Sequence, residues 1–253
     1  MRRRRACIGG VLVLVAAALV APGFWRDNGH TLMARALADD GDRAAAAAAR
    51  VRPALERDLA AAGLRWGAPV FVRIFKEEGE LELWMEGSDG RYRLFRSWPV
   101  CAWSGTLGPK QREGDNQAPE GFYRVTAAQM NPRSQYHLSF NLGYPNAYDR
   151  AHGRSGNFLM VHGACVSIGC YAMGDAAIEQ IYTLAAAAHA HGQPAFDVHA
   201  FPFRPEAARL ARAEGSAWHS FWSGLAAAWT AFANTQRPPR IRVEQGRYVV
   251  EEG

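Results

Sequence analysis

Alternating apolar and polar positions from residue 69 onward indicate that the middle of the chain is built from β-strands. In PVFVRIFKEEGELELWMEGSDGRYRLFRSW, apolar side chains occupy every second position through Leu81, Leu83 and Met85. The turn-forming pairs Glu78-Gly79 and Asp89-Gly90 interrupt this period, and the stretch is rich in β-branched and aromatic residues. A period of two that is broken by such pairs predicts strands joined as hairpins.

Helical periodicity appears at three places. RAAAAAARVRPALERDLAAAGL consists of strong helix formers, and Gly63 predicts its end. Residues 175–191 predict a second helix with Asp175 at or near its N-cap. The tail after residue 204 predicts a third helix, because large apolar residues recur there at helical spacing: Trp218, Trp222, Leu225, Trp229 and Phe232.

These patterns predict a mainly β, β-rich α+β fold with an N-terminal helix and a C-terminal aromatic helical extension. Further strands are expected at Gly121–Thr126, at two places between residues 135 and 163, in AFDVHAFPF and in a closing hairpin. We divide the chain into a leader, a linker with a helix, a catalytic body, and a helical extension with a hairpin, at residues 1–25, 26–66, 67–204 and 205–253.

The N-terminus has the layout of an export signal. Four arginines at positions 2–5 precede an uncharged apolar run from Ala6 to Trp25. Small residues precede Pro22, and the run is near the lower limit of roughly 20 residues for a membrane span. The sequence therefore leaves open a cleaved signal or inner-membrane anchoring through residues 6–25, and it predicts a periplasmic location in either case.

Export changes how the charge and the cysteines are interpreted. The chain has 29 basic and 24 acidic residues, and removing the four leader arginines leaves 25 against 24. A nearly neutral body gives no indication of nucleic-acid binding. An oxidising compartment favours disulfides. The three cysteines beyond the leader are an odd number, so at least one thiol is free or pairs between molecules: Cys101, Cys165 and Cys170.

The stretch FLMVHGACVSIGCYAM, residues 158–173, concentrates the reactive side chains. In one interpretation, His162, Cys165 and Cys170 bind a metal, although the spacing is unlike that of common zinc sites. In a second, Cys165 and Cys170 form a local disulfide. In a third, Cys170 is a nucleophile and His162 is its base, which requires the imidazole to raise the thiolate fraction.

The third interpretation explains the most residues. FLMV predicts a buried strand that ends at His162, and the following loop can turn Cys170 back toward the imidazole. Gly169 gives the loop the freedom to point the Cys170 amide, or its own, at a developing oxyanion.

The pattern His162-Gly163 followed by Ser167-x-Gly169-Cys170 resembles the L,D-transpeptidase catalytic domain, and most closely its YafK-like murein branch. CAWSGTLGPKQREGDNQAPEGFYRV, SFNLGYPNAYDRAHGRSG and HAFPFR extend the resemblance over about residues 70–205. The resemblance implies a periplasmic enzyme that acts on peptidoglycan stem peptides. It further implies that Cys170 is the nucleophile and His162 the base, that the Gly163 carbonyl orients the imidazole, and that Ser167 and Gly169 shape the loop and the oxyanion site.

Two departures from the broader family affect the predicted reaction. Ala172 stands where an arginine is usual, and only three residues separate HG from S-x-G-C. Both features fit the YafK-like branch, which resembles an enzyme that cleaves the amide between diaminopimelate and a wall-attached lipoprotein. Transpeptidation, this amidase reaction and a non-catalytic wall-binding role therefore stay open, and the sequence gives no sign of a cofactor.

Two secondary predictions concern side chains around the nucleophile. The oxidising compartment, and the position of both cysteines in motif segments, suggest a Cys101–Cys165 disulfide. Polar and aromatic residues in the two long loops are candidates for substrate binding: Trp103, Ser104, Lys110, Tyr144 and Asn146.

Overall fold

The fold was obtained as a computed structural model that describes residues 43–251. A five-stranded sheet has the order β3-β2-β1-β9-β4, and a four-stranded sheet has the order β5-β6-β7-β8. Two further strands, β10 and β11, form a separate hairpin. The strands are β1 Val70–Phe75, β2 Glu80–Glu86, β3 Tyr92–Pro99, β4 Gly121–Thr126, β5 Met130–Asn131, β6 Ser139–Asn141, β7 Met160–His162, β8 Tyr171–Ala172, β9 Ala195–Phe201, β10 Arg240–Glu244 and β11 Arg247–Glu251.

Five α-helices accompany the sheets in the described part of the chain. Helix α1 covers residues 43–61 and continues through Pro53 without a break in its assignment. A short 3-10 turn, Ala127–Gln129, follows β4. The remaining helices are α2 Ala147–Ala151, α3 Asp175–Ala190, α4 Ala207–Ala211 and α5 His219–Thr235.

Strand β1 lies at the centre of the larger sheet and is buried at all six positions. It pairs antiparallel with β2 and parallel with β9, so both of its faces and both of its edges are covered. Strand β2 keeps the alternation of the sequence, with Leu81, Leu83 and Met85 fully buried. These residues belong to the main hydrophobic core, which also takes in α3 and the smaller sheet.

A second hydrophobic core lies where the C-terminal tail meets the larger sheet. It contains Phe75, Phe122 and Phe201 from the strands together with Trp222 and Leu225 from α5. The terminal hairpin contributes partly buried apolar residues to the same cluster. The C-terminal extension therefore completes the core of the body, and the described residues belong to one compact unit.

The predicted β-rich α+β class is confirmed, including the first hairpins, the helix at 175–190 and the closing hairpin. Asp175 lies in the first turn of α3, and Gly174 is the N-cap. The leader at residues 1–25 and the linker up to residue 42 lie outside the described residues. Within residues 43–251, no helix combines the length and apolar character required to cross a membrane.

Candidate active site

Strand β7 positions the His162 imidazole at its C-terminal end. His162 pairs with Ser139 of β6 and with Ala172 of β8, and it is only 2% exposed. Its Nδ1 lies 2.5 Å from the Gly163 carbonyl oxygen. A carbonyl only accepts hydrogen bonds, so Nδ1 carries the proton and Nε2 keeps its lone pair. The neutral tautomer is therefore the one that a general base requires.

Cys170 immediately precedes β8 and is half-buried. Its Sγ accepts a hydrogen bond from the Met160 backbone N–H at 3.4 Å and lies 3.7 Å from the Phe158 carbonyl oxygen. Because β7 and β8 run parallel, the loop between them returns Cys170 toward the strand that carries His162. Both side chains line one cleft of about 140 Å³. The structure thus brings the predicted nucleophile and base together.

The loop that precedes Cys170 is held by the Ser167 hydroxyl. Ser167 Oγ donates to the Cys170 carbonyl at 2.7 Å and accepts from the Gly169 N–H at 3.1 Å. Gly169 has φ +136, a backbone conformation that residues with a side chain rarely adopt. Since the Gly169 amide is engaged inside the loop, the predicted oxyanion donor that remains is the Cys170 amide.

The chain turns sharply at Gly163, and this corner after His162 depends on the missing side chain of Gly163 and on the Asp175 carboxylate. A Cβ on Gly163 would lie 2.7 Å from both Asp175 Oδ1 and the Tyr136 carbonyl oxygen. Asp175 Oδ1 also accepts the Ala164 N–H at 2.7 Å. Asp175 thereby connects the first turn of α3 to the loop between His162 and Cys170. The sequence suggested only a capping role for Asp175, because a long-range contact leaves no local signal.

Burial shifts the pKa of both reactive groups toward the uncharged form. It lowers the pKa of His162 below 6.5, and the hydrogen bond to the Gly163 carbonyl opposes this shift only in part. Burial raises the pKa of the Cys170 thiol above 9.0, against weaker opposing effects of the Met160 N–H and the Lys110 charge. The sequence suggested an imidazole that raises the thiolate fraction. Both pKa shifts favour the uncharged forms of the thiol and the imidazole.

A disulfide joins Cys101 to Cys165, with their Cα atoms 5.4 Å apart, which confirms the predicted pairing. Cys165 is therefore not available for a bridge to Cys170 or for a metal site with His162 and Cys170. Of the cysteines among residues 43–251, Cys170 is the free one. The bridge also ties the loop that begins at residue 101 to the loop that carries Cys170.

Three of the predicted substrate residues lie in the loop between β3 and β4. Ser104 Oγ is 3.2 Å from Ser167 Oγ, which places it directly beside the catalytic loop. The Trp103 ring faces Lys76 Nζ at 5.0 Å. Lys110 Nζ is buried and bonds Asp115 and the Arg112 carbonyl, so its charge is held within the loop. Their binding of substrate stays a prediction.

The other two predicted substrate residues have partners inside the fold. The Tyr144 ring is buried, and its hydroxyl donates to the Lys110 carbonyl at 3.2 Å. Asn146 is the N-cap of α2 and donates to the Phe122 carbonyl at 2.8 Å. Neither residue lines the cleft of Cys170. Both contacts are structural, and a substrate role for these residues stays a prediction.

A fully buried ion pair holds the loop between β3 and β4 in place. Lys76 Nζ lies 3.0 Å from Glu120 Oε1 and also donates to three loop carbonyls, those of Thr106, Gly108 and Ala118. Trp222 of α5 donates its indole N–H to Glu120 Oε2 at 2.8 Å. The aromatic tail, which the sequence presented as a packing face, therefore also donates a hydrogen bond to this buried pair.

Exposed apolar side chains surround the mouth of the cleft. The described surface has five exposed large apolar residues, and four of them flank Cys170 and His162: Tyr136, Phe158, Val166 and Ile168. Ile168 is 79% exposed. We call these four residues the apolar rim. Large exposed apolar groups gathered in one place are typical of a surface that contacts a ligand or a partner.

Comparison with known proteins gives one family. Residues 71–194 match the YkuD family, described as the L,D-transpeptidase catalytic domain. The chain is 46% identical over 186 residues to the protein that carries the name L,D-transpeptidase YafK in Escherichia coli strain K12, covering 74% of this chain and 75% of that protein. The YafK protein of Escherichia coli O157:H7 matches to the same extent.

Solved structures show more distant likenesses. The K307A mutant of the helical cell shape determining protein Pgp2 from Campylobacter jejuni is 21% identical, with a TM-score of 0.44 over 66% of this chain and 57% of that chain. Bd1075 of Bdellovibrio bacteriovorus is 15% identical, with a TM-score of 0.37 over 74% of this chain and 78% of that chain.

Proposed function

Because the chain belongs to the L,D-transpeptidase family, we propose that it modifies peptidoglycan through a thioester on Cys170. The observation that supports this most directly is the shared cleft of Cys170 and His162, with Nδ1 of the imidazole held by the Gly163 carbonyl. We place the enzyme in the periplasm, exported by residues 1–25 and either released or kept at the inner membrane by residues 6–25.

The proposed first half-reaction starts with both groups neutral. Nε2 of His162 takes the thiol proton while Cys170 Sγ bonds to the carbonyl carbon at the L-centre of diaminopimelate. The resulting oxyanion accepts a hydrogen bond from the Cys170 amide. Collapse breaks the C–N bond, the departing amine takes the proton from the imidazolium, and a thioester remains.

In the second half-reaction, a nucleophile attacks the thioester and His162 removes its proton. Sγ leaves and recovers that proton from the imidazolium, which regenerates the thiol. An amine of a second stem peptide gives a crosslink, which is the transpeptidase outcome. Water gives a free carboxyl group, which is the hydrolase outcome.

Two observations favour an amidase that detaches a wall-attached lipoprotein as the second candidate. Ala172, at the position where the broader family has arginine, is fully buried and its backbone pairs with Ala102 and His162. A small, buried alanine on β8 thus takes the place of the arginine that is usual in the family. The apolar rim also suits an apolar polypeptide segment better than it suits a polar stem peptide.

The test uses sacculi with covalently bound lipoprotein and protein that lacks residues 1–25, with Cys170→Ala as the matched control. Release of lipoprotein with tripeptide stems left on the wall, absent in the control, would establish the amidase. New diaminopimelate–diaminopimelate crosslinks with loss of terminal D-alanine would establish the transpeptidase. If wild type and Cys170→Ala give the same products, the proposed catalysis is wrong and a wall-binding role takes its place.

A further inference from the structure

A second cavity, with a volume of about 420 Å³, lies between the larger sheet and the terminal hairpin. Strands β4 and β9, the segment around α2 and residues 238–248 form its walls. None of its lining residues lines the cleft of Cys170. Its volume falls in the range of about 300–1,000 Å³ that is usual for small-molecule sites. We call it the hairpin cavity.

Strand β9 presents two polar side chains to the hairpin cavity. Asp197 and His199 are two residues apart on this strand, so they project from the same face of the sheet. In the register with β4, Asp197 is opposite Arg124 and His199 is opposite Phe122. An anionic group and an imidazole therefore lie side by side on the wall of one cavity.

Both groups lack a hydrogen-bond partner among the described residues. His199 is 1% exposed, and its ring is held by Phe71 and Phe122 at centroid distances of 4.8 Å and 4.4 Å. Neither ring nitrogen bonds any residue within 43–251. The cation closest to the Asp197 carboxylate is Arg124 at 3.8 Å, beyond hydrogen-bond distance. Buried polar groups are nearly always bonded, so the unbonded imidazole of buried His199 indicates room for a ligand. The Asp197 side chain beside it is 34% exposed and open to the same ligand.

Cations complete the lining of the hairpin cavity. Arg124, Arg150 and Arg240 line it together with Asp197 as the one acid. Arg240 forms no ion pair with an acid in the part of the chain that the structure describes, while Arg150 donates to the Pro145 carbonyl. Arginine is the side chain best suited to hold a carboxylate, because its guanidinium can donate two parallel hydrogen bonds.

We propose that the hairpin cavity binds a zwitterionic α-amino-acid group. Its carboxylate pairs with Arg124 and Arg240, and its ammonium donates to Asp197 and to a nitrogen of His199. A purely anionic ligand would leave Asp197 without a hydrogen bond, and a purely cationic ligand would face three arginines. In stem peptides, the free D-centre of diaminopimelate offers this chemistry. That source rests on the proposed function, whereas recognition of the amino-acid group does not.

The first experiment is calorimetric titration of the protein with meso-diaminopimelate. Pimelate, which lacks the ammonium groups, and 1,5-diaminopentane, which lacks the carboxylates, are the matched ligands. We expect meso-diaminopimelate to bind at least tenfold more tightly than either one. Equal binding of pimelate would reduce the cavity to a general anion site and contradict the proposal. Absence of meso-diaminopimelate binding up to about 10 mM, roughly tenfold above a millimolar Kd, would overturn it.

Variants and spectroscopy then locate the binding. Arg240→Gln and Asp197→Asn should each raise the Kd at least tenfold, whereas Arg242→Gln should leave it unchanged, since Arg242 lies on the same strand but pairs with Glu251 outside the cavity. In nuclear magnetic resonance spectra, the ligand should shift the ring signals of His199. A shift at His162 without one at His199 would place the ligand in the catalytic cleft and contradict the proposal.

Different results would contradict the ligand proposed for the hairpin cavity and the reaction proposed for Cys170. Binding in the hairpin cavity should persist in Cys170→Ala, because that substitution lies outside the cavity. Loss of the reaction on sacculi with retained meso-diaminopimelate binding would contradict only the catalytic assignment. Retained reaction without binding in wild type would contradict only the cavity assignment.

Discussion

At the scale of single residues, burial favours the uncharged forms of both Cys170 and His162. Burial raises the pKa of the thiol and lowers that of the imidazole, so an ion pair between them is disfavoured before substrate arrives. In the proposed reaction, proton transfer to His162 is then coupled to attack on the carbonyl. A free thiol that is mostly protonated is also less reactive toward oxidants, which agrees with the proposed periplasmic location.

We predict that alkylation and catalysis depend on pH in different ways. Alkylation of Cys170 by iodoacetamide requires the thiolate, so its rate should rise steadily with pH and continue to rise beyond pH 9. Catalysis requires neutral His162, and protonation of this residue occurs only as pH falls through its lowered pKa. As pH falls, the value of kcat/KM should therefore reach half of its plateau below about pH 6.5, the ordinary pKa of histidine. Timed activity assays measure the pH profile of kcat/KM, and mass spectrometry of the alkylated protein measures that of the labelling rate.

The control for labelling is Cys170→Ser, which should take up no reagent because Cys101 and Cys165 are bridged. An alkylation rate that is already constant between pH 6 and pH 8 would contradict the prediction. That result would mean that an imidazolium stabilises a preformed thiolate.

The Gly163→Ala substitution tests the corner that orients the imidazole. Its Cβ would meet Asp175 Oδ1 and the Tyr136 carbonyl oxygen at 2.7 Å, and backbone atoms cannot yield easily. We expect a loss of about 1–3 kcal/mol in the free energy of unfolding, as for other overpacked sites, and a fall of at least tenfold in kcat. Urea denaturation and the sacculus assay measure the two effects.

The matched control is Gly224→Ala in α5, where an added Cβ meets no atom within 4 Å. This substitution should stabilise the protein by about 0.5–1 kcal/mol, because alanine favours a helix interior. If Gly163→Ala kept full activity and stability, the corner would not constrain His162.

At the scale of elements, the sequence indicated which segments are strands better than it indicated what holds them in place. The alternation at Leu81, Leu83 and Met85 and the spacing of HG and S-x-G-C are local signals, so β2, β7 and the loop that returns to Cys170 could be predicted. Strand β8 has only two residues, too few to show a period, and was not predicted. Asp175 and Glu120 act through contacts with distant segments. Such contacts leave no periodic trace in the chain, and neither role could be inferred.

We predict that Trp222→Phe loosens the loop between β3 and β4. Phenylalanine keeps an aromatic ring in the core but removes the N–H that donates to Glu120 Oε2. Losing a hydrogen bond to a buried charge should cost about 1.5–3 kcal/mol of unfolding free energy. Amide exchange at Gly108, whose N–H donates to Glu120 Oε1 at 2.7 Å, should accelerate, and KM on soluble muropeptides should rise.

Trp229→Phe is the comparison variant on the same helix, because the Trp229 indole N–H has no hydrogen bond to a residue in the described range. It should leave exchange at Gly108 unchanged. Equal acceleration in both variants would mean that α5 stabilises the loop only through general packing.

At the scale of the whole molecule, the C-terminal extension covers one face of the sheet that supports the active site. Trp229 contacts the rings of Phe75 and Phe201, Trp222 contacts Phe203, and Tyr248 contacts Phe122. These four phenylalanines are buried against the tail although they belong to the body or directly follow its last strand. The family match ends at residue 194, before this cover begins. Strands within the family match and the C-terminal tail therefore share the second hydrophobic core.

It follows that the body should not fold without the tail. Ending the chain at residue 204 would uncover four aromatic side chains at about 1.5–3 kcal/mol each, which approaches the roughly 5–15 kcal/mol of stability of a typical domain. We expect this shortened protein to be insoluble or to lack a cooperative thermal transition by circular dichroism. A protein lacking residues 1–42 keeps every contact described within residues 43–251 and should unfold cooperatively. A soluble, cooperatively folded and active chain ending at residue 204 would show that the tail is a separate accessory segment.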